Sequence, residues 1–539
     1  MRLRGLGWPL FSLALLFPHL LPSYARAADW PQWGGTLSRN MVSDEVGLPN
    51  CFEVGVAGRG GTWTTKPMNV KWSARLGTHT YGTPTIAGGK VFIGTNNGVP
   101  RNPRLDGDRL VLMCFNEADG AFVWQMASPR RRHYAQYNGD YGGLGVCSSA
   151  AVDGDRAYVV TSRCHVVSMD VAPLGSDLKP LYAGQAQYLA HPVSEAIVPT
   201  AAGPRVNMRP GSPVKLSRTD ANIAWVFDMI TGAGSWPHDA SSASVLLQGD
   251  YVYAGTSNGK ASDHRTVPCP NGPTLIVLDK RTGKLVAKDN SSIARGVFHG
   301  QWSSPSYGVV NGRPLLCYGG GDGYCHAFDA RPELRSDGKP GLLKRMWICD
   351  GNPPEARARG YRDPAGPNDI VGTPVFYNDR VYVATGQDPV HGPGQGCLTC
   401  IDPTQVGNIT KTGVVWRYRS IGRSCSTVSI ADGLVYAVDF TGELHCVEAD
   451  TGQLVWRQSL GSRVWGSPLC ADGKVYVGTE RGQLWVLKAG RQKQVLSTVP
   501  MRSPIYTTPV AANGVLYVAT HRYLYALTKQ GQDDAVASR

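Results

Sequence analysis

The chain has 539 residues, room for one large core or several domains. Its 65 Gly and 37 Pro interrupt almost every stretch, which excludes a mainly helical protein and points to turn-rich β structure. A net charge of +13 favours anionic partners such as acidic glycans or anionic lipid surfaces, or serves solubility alone.

The first 27 residues read as a signal peptide. Arg2 and Arg4 precede an apolar run from Leu10 to Leu21, and Ala25-Arg26-Ala27 is an A-x-A cleavage site. The run contains Pro18 and is short for a spanning helix, and no later window is apolar enough to cross a bilayer. Cleavage after Ala27 gives an exported protein, periplasmic or extracellular. No Cys stands at the cleavage site, so a lipoprotein anchor is not expected, and export removes nucleic acid as a partner. Residues 28–69 form an N-terminal extension. It opens Asp29-Trp30-Pro31-Gln32-Trp33, whose two indoles are expected to pack on the body that follows, and Gly55 to Gly61 reads as a flexible link.

From residue 70 to 528 the chain repeats. Paired apolar residues mark one strand per unit: Val91-Phe92, Ala157-Tyr158, Val252-Tyr253, Leu315-Leu316, Val381-Tyr382, Val435-Tyr436, Val475-Tyr476 and Leu516-Tyr517. Tyr436 and Tyr476 lie 40 residues apart, and Tyr476 and Tyr517 lie 41 apart. Short strands, Gly/Asp turns and that period are the signature of a four-stranded propeller blade. Eight units predict an all-β, eight-bladed β-propeller. The last unit lacks a Trp-ended fourth strand, while Asn69-Val70-Lys71-Trp72-Ser73 supplies one at the start, so an N-terminal strand is expected to close the ring. Residues 529–539 remain as a C-terminal tail. The protein is expected to be monomeric.

The turn Ala449-Asp450-Thr451-Gly452-Gln453-Leu454-Val455-Trp456 resembles the tryptophan-docking motif of the PQQ-like, quinoprotein alcohol dehydrogenase-like propellers, with partial copies at Thr282-Gly283-Lys284 and at Asp119-Gly120 before Trp124. The opening Trp-Pro-Gln-Trp and the segments His299 to Pro305 and Gly386 to Pro389 are similar to an exported bacterial branch of that family. The resemblance implies one of two roles. The first is a non-catalytic binding or scaffold module for an anionic glycan or an envelope protein, with no cofactor. The alternative is a PQQ-dependent dehydrogenase with PQQ and Ca²⁺ at the channel mouth. There Trp302 and Trp465 would stack the quinone, arginines would hold its carboxylates, and Asp239 or Asp369 would be the base.

Aligned on the marked strands, one inner position reads Thr83, Ser149, Ser244, Ser304, Thr373, Thr427, Ser467 and Thr508. Eight strands crowding an axis admit only small side chains, and the hydroxyls suggest a water-lined channel. Two residues earlier come Tyr81, Cys147, Ser242, Trp302, Val371, Cys425, Trp465 and Tyr506, which should ring one mouth and either plug it or stack a planar ligand or sugar. Long inserts at 95–110, 126–145, 256–273, 349–369 and 385–396 should wall that mouth. They and the neighbouring turns carry Arg101, Arg104, Arg130, Arg131, Arg132, Arg357, Arg359, Arg423 and Arg463, a candidate basic funnel for carboxylates, sulfates or phosphates. The same loops hold His238, Asp239, His299, Asp369, Asp388 and His391, a weak candidate acid/base set without diagnostic spacing. The insert 171–221, rich in Pro and Gly, should project irregularly from the opposite face.

Thirteen cysteines make an odd count. Cys397 and Cys400 sit three apart on a strand, where side chains face opposite ways, so no metal site is expected there. Cys114, Cys400 and Cys446 share one repeat register and read as core. No Cys-Cys pair, Cys-x-x-Cys-His, Walker loop or His-Glu-x-x-His occurs.

Overall fold

A computed structural model describes residues 28–57, 63–131, 141–200, 203–239 and 242–529. The expected signal peptide and most of the C-terminal tail lie outside these residues, as do Arg132 and much of the expected Gly55–Gly61 link. Eight four-stranded antiparallel blades, three of them extended by a short parallel fifth strand, form an eight-bladed propeller. Blade 6 shows the unit at its barest: Ser429–Ala431, Leu434–Val438, Glu443–Glu448 and Leu454–Ser459. Blade 8 runs Val510–Ala512, Val515–Ala519 and Tyr523–Leu527, and its fourth strand is Val70–Arg75, paired antiparallel with Tyr523–Leu527. The ring is therefore closed by an N-terminal strand.

Five of the eight blade junctions are tied by a fourth-strand Trp. Trp416 of blade 5 lies over Gly452 of blade 6, where a Cβ would come within 2.5 Å of the indole. Gly452 also holds φ +71°, so two demands meet at one glycine. The Trp416 indole N–H donates to Ala449 O at 2.9 Å. Trp72, Trp124, Trp225 and Trp456 donate in the same way to Glu117, Val171, Lys280 and Gly490 carbonyls. The N–H of each of these five indoles is thereby satisfied.

The N-terminal extension does more than pack on the body. Residues 29–48 run across the end of the channel opposite the mouth and meet all eight blades. Trp30 bridges Ile86, Pro31 O accepts from Val152 N, and Leu37 O and Ser38 O accept from Tyr307 N and Phe376 N. Asn40 brackets Ile430, Val42–Ser43 adds a parallel strand to Leu469–Ala471, and Ser43 Oγ donates to Ala511 O. Arg39, fully buried, donates to Pro305 O at 2.9 Å, to Val245 O at 2.8 Å and to Trp33 O. This strap makes the channel a blind well.

The insert 171–221 differs from expectation. It leaves the lower end of blade 2 but folds back up the outer edge, where Tyr182 N pairs with Ile223 O and the Gln185 side chain accepts from Ile223 N. An outer strand offers a row of backbone groups, and the insert satisfies them rather than projecting away. It contains a short helix, Gln185–Tyr188, and a hairpin, Ser194–Val198 with Arg205–Arg209. The hairpin carries Glu195 to the mouth side, where it binds Arg131 at 3.1 Å and Arg163 at 3.2 Å, all three buried.

Candidate functional site

The first strands explain their own hydroxyls. Six of the eight small hydroxyls accept a backbone N–H from the preceding blade. Ser149 N donates to Ser244 Oγ, Ser244 N to Ser304 Oγ, Thr373 N to Thr427 Oγ1, Thr427 N to Ser467 Oγ, Ser467 N to Thr508 Oγ1 and Thr508 N to Thr83 Oγ1, at 2.8–3.0 Å. Of the other two, Ser149 Oγ donates to Thr83 O at 2.9 Å and Thr373 Oγ1 accepts the Trp33 indole N–H at 3.0 Å. The hydroxyls thus close a belt of inter-blade hydrogen bonds around the axis. This satisfies inner-strand donors that no neighbouring strand can reach.

Above that belt lies a cavity of about 330 Å³. All eight mouth-register residues line it: Tyr81, Cys147, Ser242, Trp302, Val371, Cys425, Trp465 and Tyr506. Trp33 from the strap lines it as well, which the sequence reading places no deeper than the body surface. Its two sides differ. On blades 7, 8 and 1, Trp465 stacks on Tyr506 at 4.7 Å and 15°, and Tyr81 meets Tyr506 edge-on at 5.1 Å. Trp465 Nε1 donates to Glu480 Oε2 at 3.1 Å, fixing the indole plane. On blades 3 to 5 the wall is Trp302, Asp239 and Asp388, with Tyr141 nearby.

Behind Asp239 and Asp388 sits a histidine cluster. His238 and His299 rings are 4.8 Å apart, His264 and His299 4.9 Å, and His299 and His391 5.0 Å. His299 Nε2 is 3.5 Å from Asp388 Oδ2, and His238 Nε2 is 3.7 Å from Asp239 Oδ2. Burial, then the neighbouring His299, pushes His238 down to about 3 and His391 down to about 4, so these imidazoles are neutral at pH 7. Burial opposes ionisation of Asp388, but the His299 contact and the Val390 N–H outweigh it and leave its carboxyl below the usual range. Asp369 behaves otherwise. It is buried away from the cavity, accepts from Tyr361 Oη at 2.7 Å, and burial holds it well above 3.8. A carboxyl enclosed away from the cavity is no base for a cavity ligand.

The arginines do not form an open funnel. Arg357 pairs with both oxygens of Asp350 at 2.6 and 2.7 Å and lies over Tyr324. Arg423 is buried and donates to Asn368 Oδ1 and to the Asp363 carbonyl. Arg131 joins Glu195, Arg130 joins Asp108 and Arg359 joins Asp363. Arg101 packs over Phe122 at 4.4 Å, and Arg104 is exposed. Arg463 lies over Phe440 at 5.5 Å on the rim. Loop arginines in this protein mostly hold loop backbone in place, a use that sequence does not distinguish from ligand binding. Among the described residues lining the cavity there is no Arg or Lys.

A sequence model of the family described as PQQ_2, Outer membrane protein assembly factor BamB, matches residues 108–335 and 394–532, more than half of the chain. The chain belongs to this PQQ-like β-propeller family. No curated protein matches it. Among solved structures, BamB from Moraxella catarrhalis is similar at 15% identity and TM-score 0.48, over 85% of this chain and 97% of that one. The computationally designed Ika8 protein shares 10% identity at TM-score 0.46, covering 85% and 99%. A europium-containing methanol dehydrogenase shares 12% at TM-score 0.45, covering 94% and 99%. At such identities a neighbour's activity does not transfer.

The PQQ-like family name raises the cofactor itself, and the lining tests it. PQQ is a planar tricarboxylate. The aromatic side could stack its rings, but its carboxylates would find Asp239 and Asp388 and no cationic side chain. The two cysteines of the lining stand in different blades, 2 and 6, and burial raises the Cys425 thiol to about 12, so it is not a nucleophile. These residues do not fit PQQ. Among the described residues, no helix is long and apolar enough to cross a membrane.

Proposed function

We propose that this member of the family is an exported, non-catalytic binding propeller of the cell envelope, and that its mouth cavity takes a neutral or amino sugar ring of a glycan or of a partner's glycan. The observation that carries the reading is the division of one blind cavity into an aromatic side, Tyr81, Trp465 and Tyr506, and a carboxylate side, Asp239 and Asp388. Stacking faces with carboxylate acceptors suit a sugar's apolar face and its hydroxyl or ammonium groups. The carboxylates also replace the anionic glycan of the sequence reading as the preferred occupant. The leader sequence supports export, and the description of the family supports the envelope.

The test is a titration of the purified protein followed by Trp fluorescence. The probes are neutral chito-oligosaccharides, their deacetylated amino forms, heparin as a polyanion, and PQQ with and without Ca²⁺. Saturable binding of the neutral or amino sugars, lost in Trp465→Ala, supports the reading. Saturable PQQ or heparin binding that Trp465→Ala abolishes would overturn it.

A further inference from the structure

Three histidines from three separate loops converge beside the cavity. His238 follows the short helix Met229–Ala233 of blade 3, His264 lies in the 256–273 insert of the same blade, and His299 precedes the first strand of blade 4. One ring nitrogen or more from each lies within 4.8 Å of the others, the one such group of three metal-ligating side chains among the described residues. His264 has no place in the sequence-based candidate set, because nothing in its spacing links it to His238 or His299.

The surroundings are those of a ligand set. His238 Nδ1 is 2.9 Å from the Lys260 carbonyl oxygen. A carbonyl only accepts, so Nδ1 carries the proton and Nε2 keeps its lone pair for the cluster. Metal-bound imidazoles are oriented by such a bond on the far nitrogen. Asp388 Oδ2 stands 3.5 Å from His299 Nε2, while its Oδ1 is fixed by Val390 N–H at 2.9 Å. Asp239 Oδ2 stands 3.7 Å from His238 Nε2. His238 and His299 are buried and His264 is half-buried, so an ion would be enclosed by protein yet reachable from the cavity.

We infer that His238, His264 and His299 form a binding site for a divalent transition-metal ion, Zn²⁺ by its ligand chemistry, with Asp388 placed to complete it. Nitrogen donors with one carboxylate suit Zn²⁺ in four-coordination. Zn–N bonds of about 2.0–2.1 Å would draw the nitrogens to roughly 3.4 Å from one another. The rings need to close by about an ångström, which His264 on its exposed loop allows. The inference concerns the metal alone and does not depend on what fills the cavity.

The test uses the full chain stripped with EDTA and titrated with Zn²⁺ by calorimetry, and with Co²⁺ by visible absorption. The expected result is one equivalent bound, with intense d–d bands of low-symmetry Co²⁺ and no thiolate charge-transfer band. Affinity should fall at least about tenfold in His264→Ala and in His299→Ala. It should be unchanged in His521→Ala, a histidine on the aromatic side. His264 is half-buried, so its variant keeps the fold, checked by far-UV circular dichroism. Absence of saturable binding at 100-fold excess Zn²⁺ overturns the inference. So does binding that His264→Ala leaves intact, and so does a thiolate band, which would assign the ion to cysteine.

Discussion

At the floor of the channel, residues 29–48 meet every first strand, and Arg39 is spent on three backbone carbonyls and the Gln32 amide oxygen. At the mouth, Trp465 and Tyr506 just before first strands, and Asp239 and Asp388 from loops, face one cavity. Both ends are rich in polar and aromatic side chains, and composition would not tell them apart. They differ in where the partners are. Floor groups find theirs within the chain, whereas mouth groups are held in place by the chain and turned toward space. The repeat sets the aromatic side, where hairpins are tight; the inserts of blades 3 to 5 set the carboxylate and histidine side.

The comparison can be broken or sharpened by substitution. The largest effect is expected where a mouth-side insert behaves like the floor. Glu195→Ala leaves Arg131 and Arg163 buried without their carboxylate and should cost about 3–5 kcal/mol in urea denaturation. A loss within about 0.5 kcal/mol would make that insert ordinary surface. Arg39→Ala strips three buried carbonyls of a charged donor and should cost about 3 kcal/mol, with the cavity's fluorescence response to ligand weakened because Trp33 is no longer anchored. Thr427→Val removes the acceptor of Thr373 N–H from the hydroxyl belt while keeping its volume, and should cost about 1–2 kcal/mol. An effect near zero would return the belt to a merely steric role.

The smallest effect concerns pH on the aromatic side. Burial, then His79 and Arg522, lowers His521 to about 4. Its folded pKa lies below the ordinary 6.5, so the unfolded chain binds the extra proton between those values. The stability it contributes is complete above pH 6.5 and is lost as pH falls toward 4. In His521→Phe the fall of melting temperature between pH 7 and pH 4 should be shallower than in the parent. An unchanged slope would place that acid sensitivity elsewhere.

Periodicity made the ring legible. Eight copies of a paired apolar strand, a missing last strand and a spare one at Val70 leave little choice of architecture. The mouth register was legible for the same reason, because residues at one repeat position must converge on the axis. What periodicity does not reach stayed hidden. His264 joins His238 and His299 only through the course of a loop. The pairing of Arg131 with Glu195 spans two blades. The hydroxyls were visible by position, but their purpose needed the neighbouring backbone, since Ser and Thr serve water and N–H equally well.

The strap has a consequence for how the molecule is made. Residues 29–48 leave the ribosome before any blade, yet their partners are spread from Ile86 to Ala511. The strand Val70–Arg75 likewise waits for Tyr523–Leu527. The earliest segment therefore completes its bonds last, and loop-closure entropy must be met across nearly the whole chain before the ring locks. Until then seven blades expose an unpaired edge and an uncapped axis, a state open to aggregation. A folding helper that holds the leading segment apart would act on this step, and circular permutation that places the strap after blade 8 should shorten it.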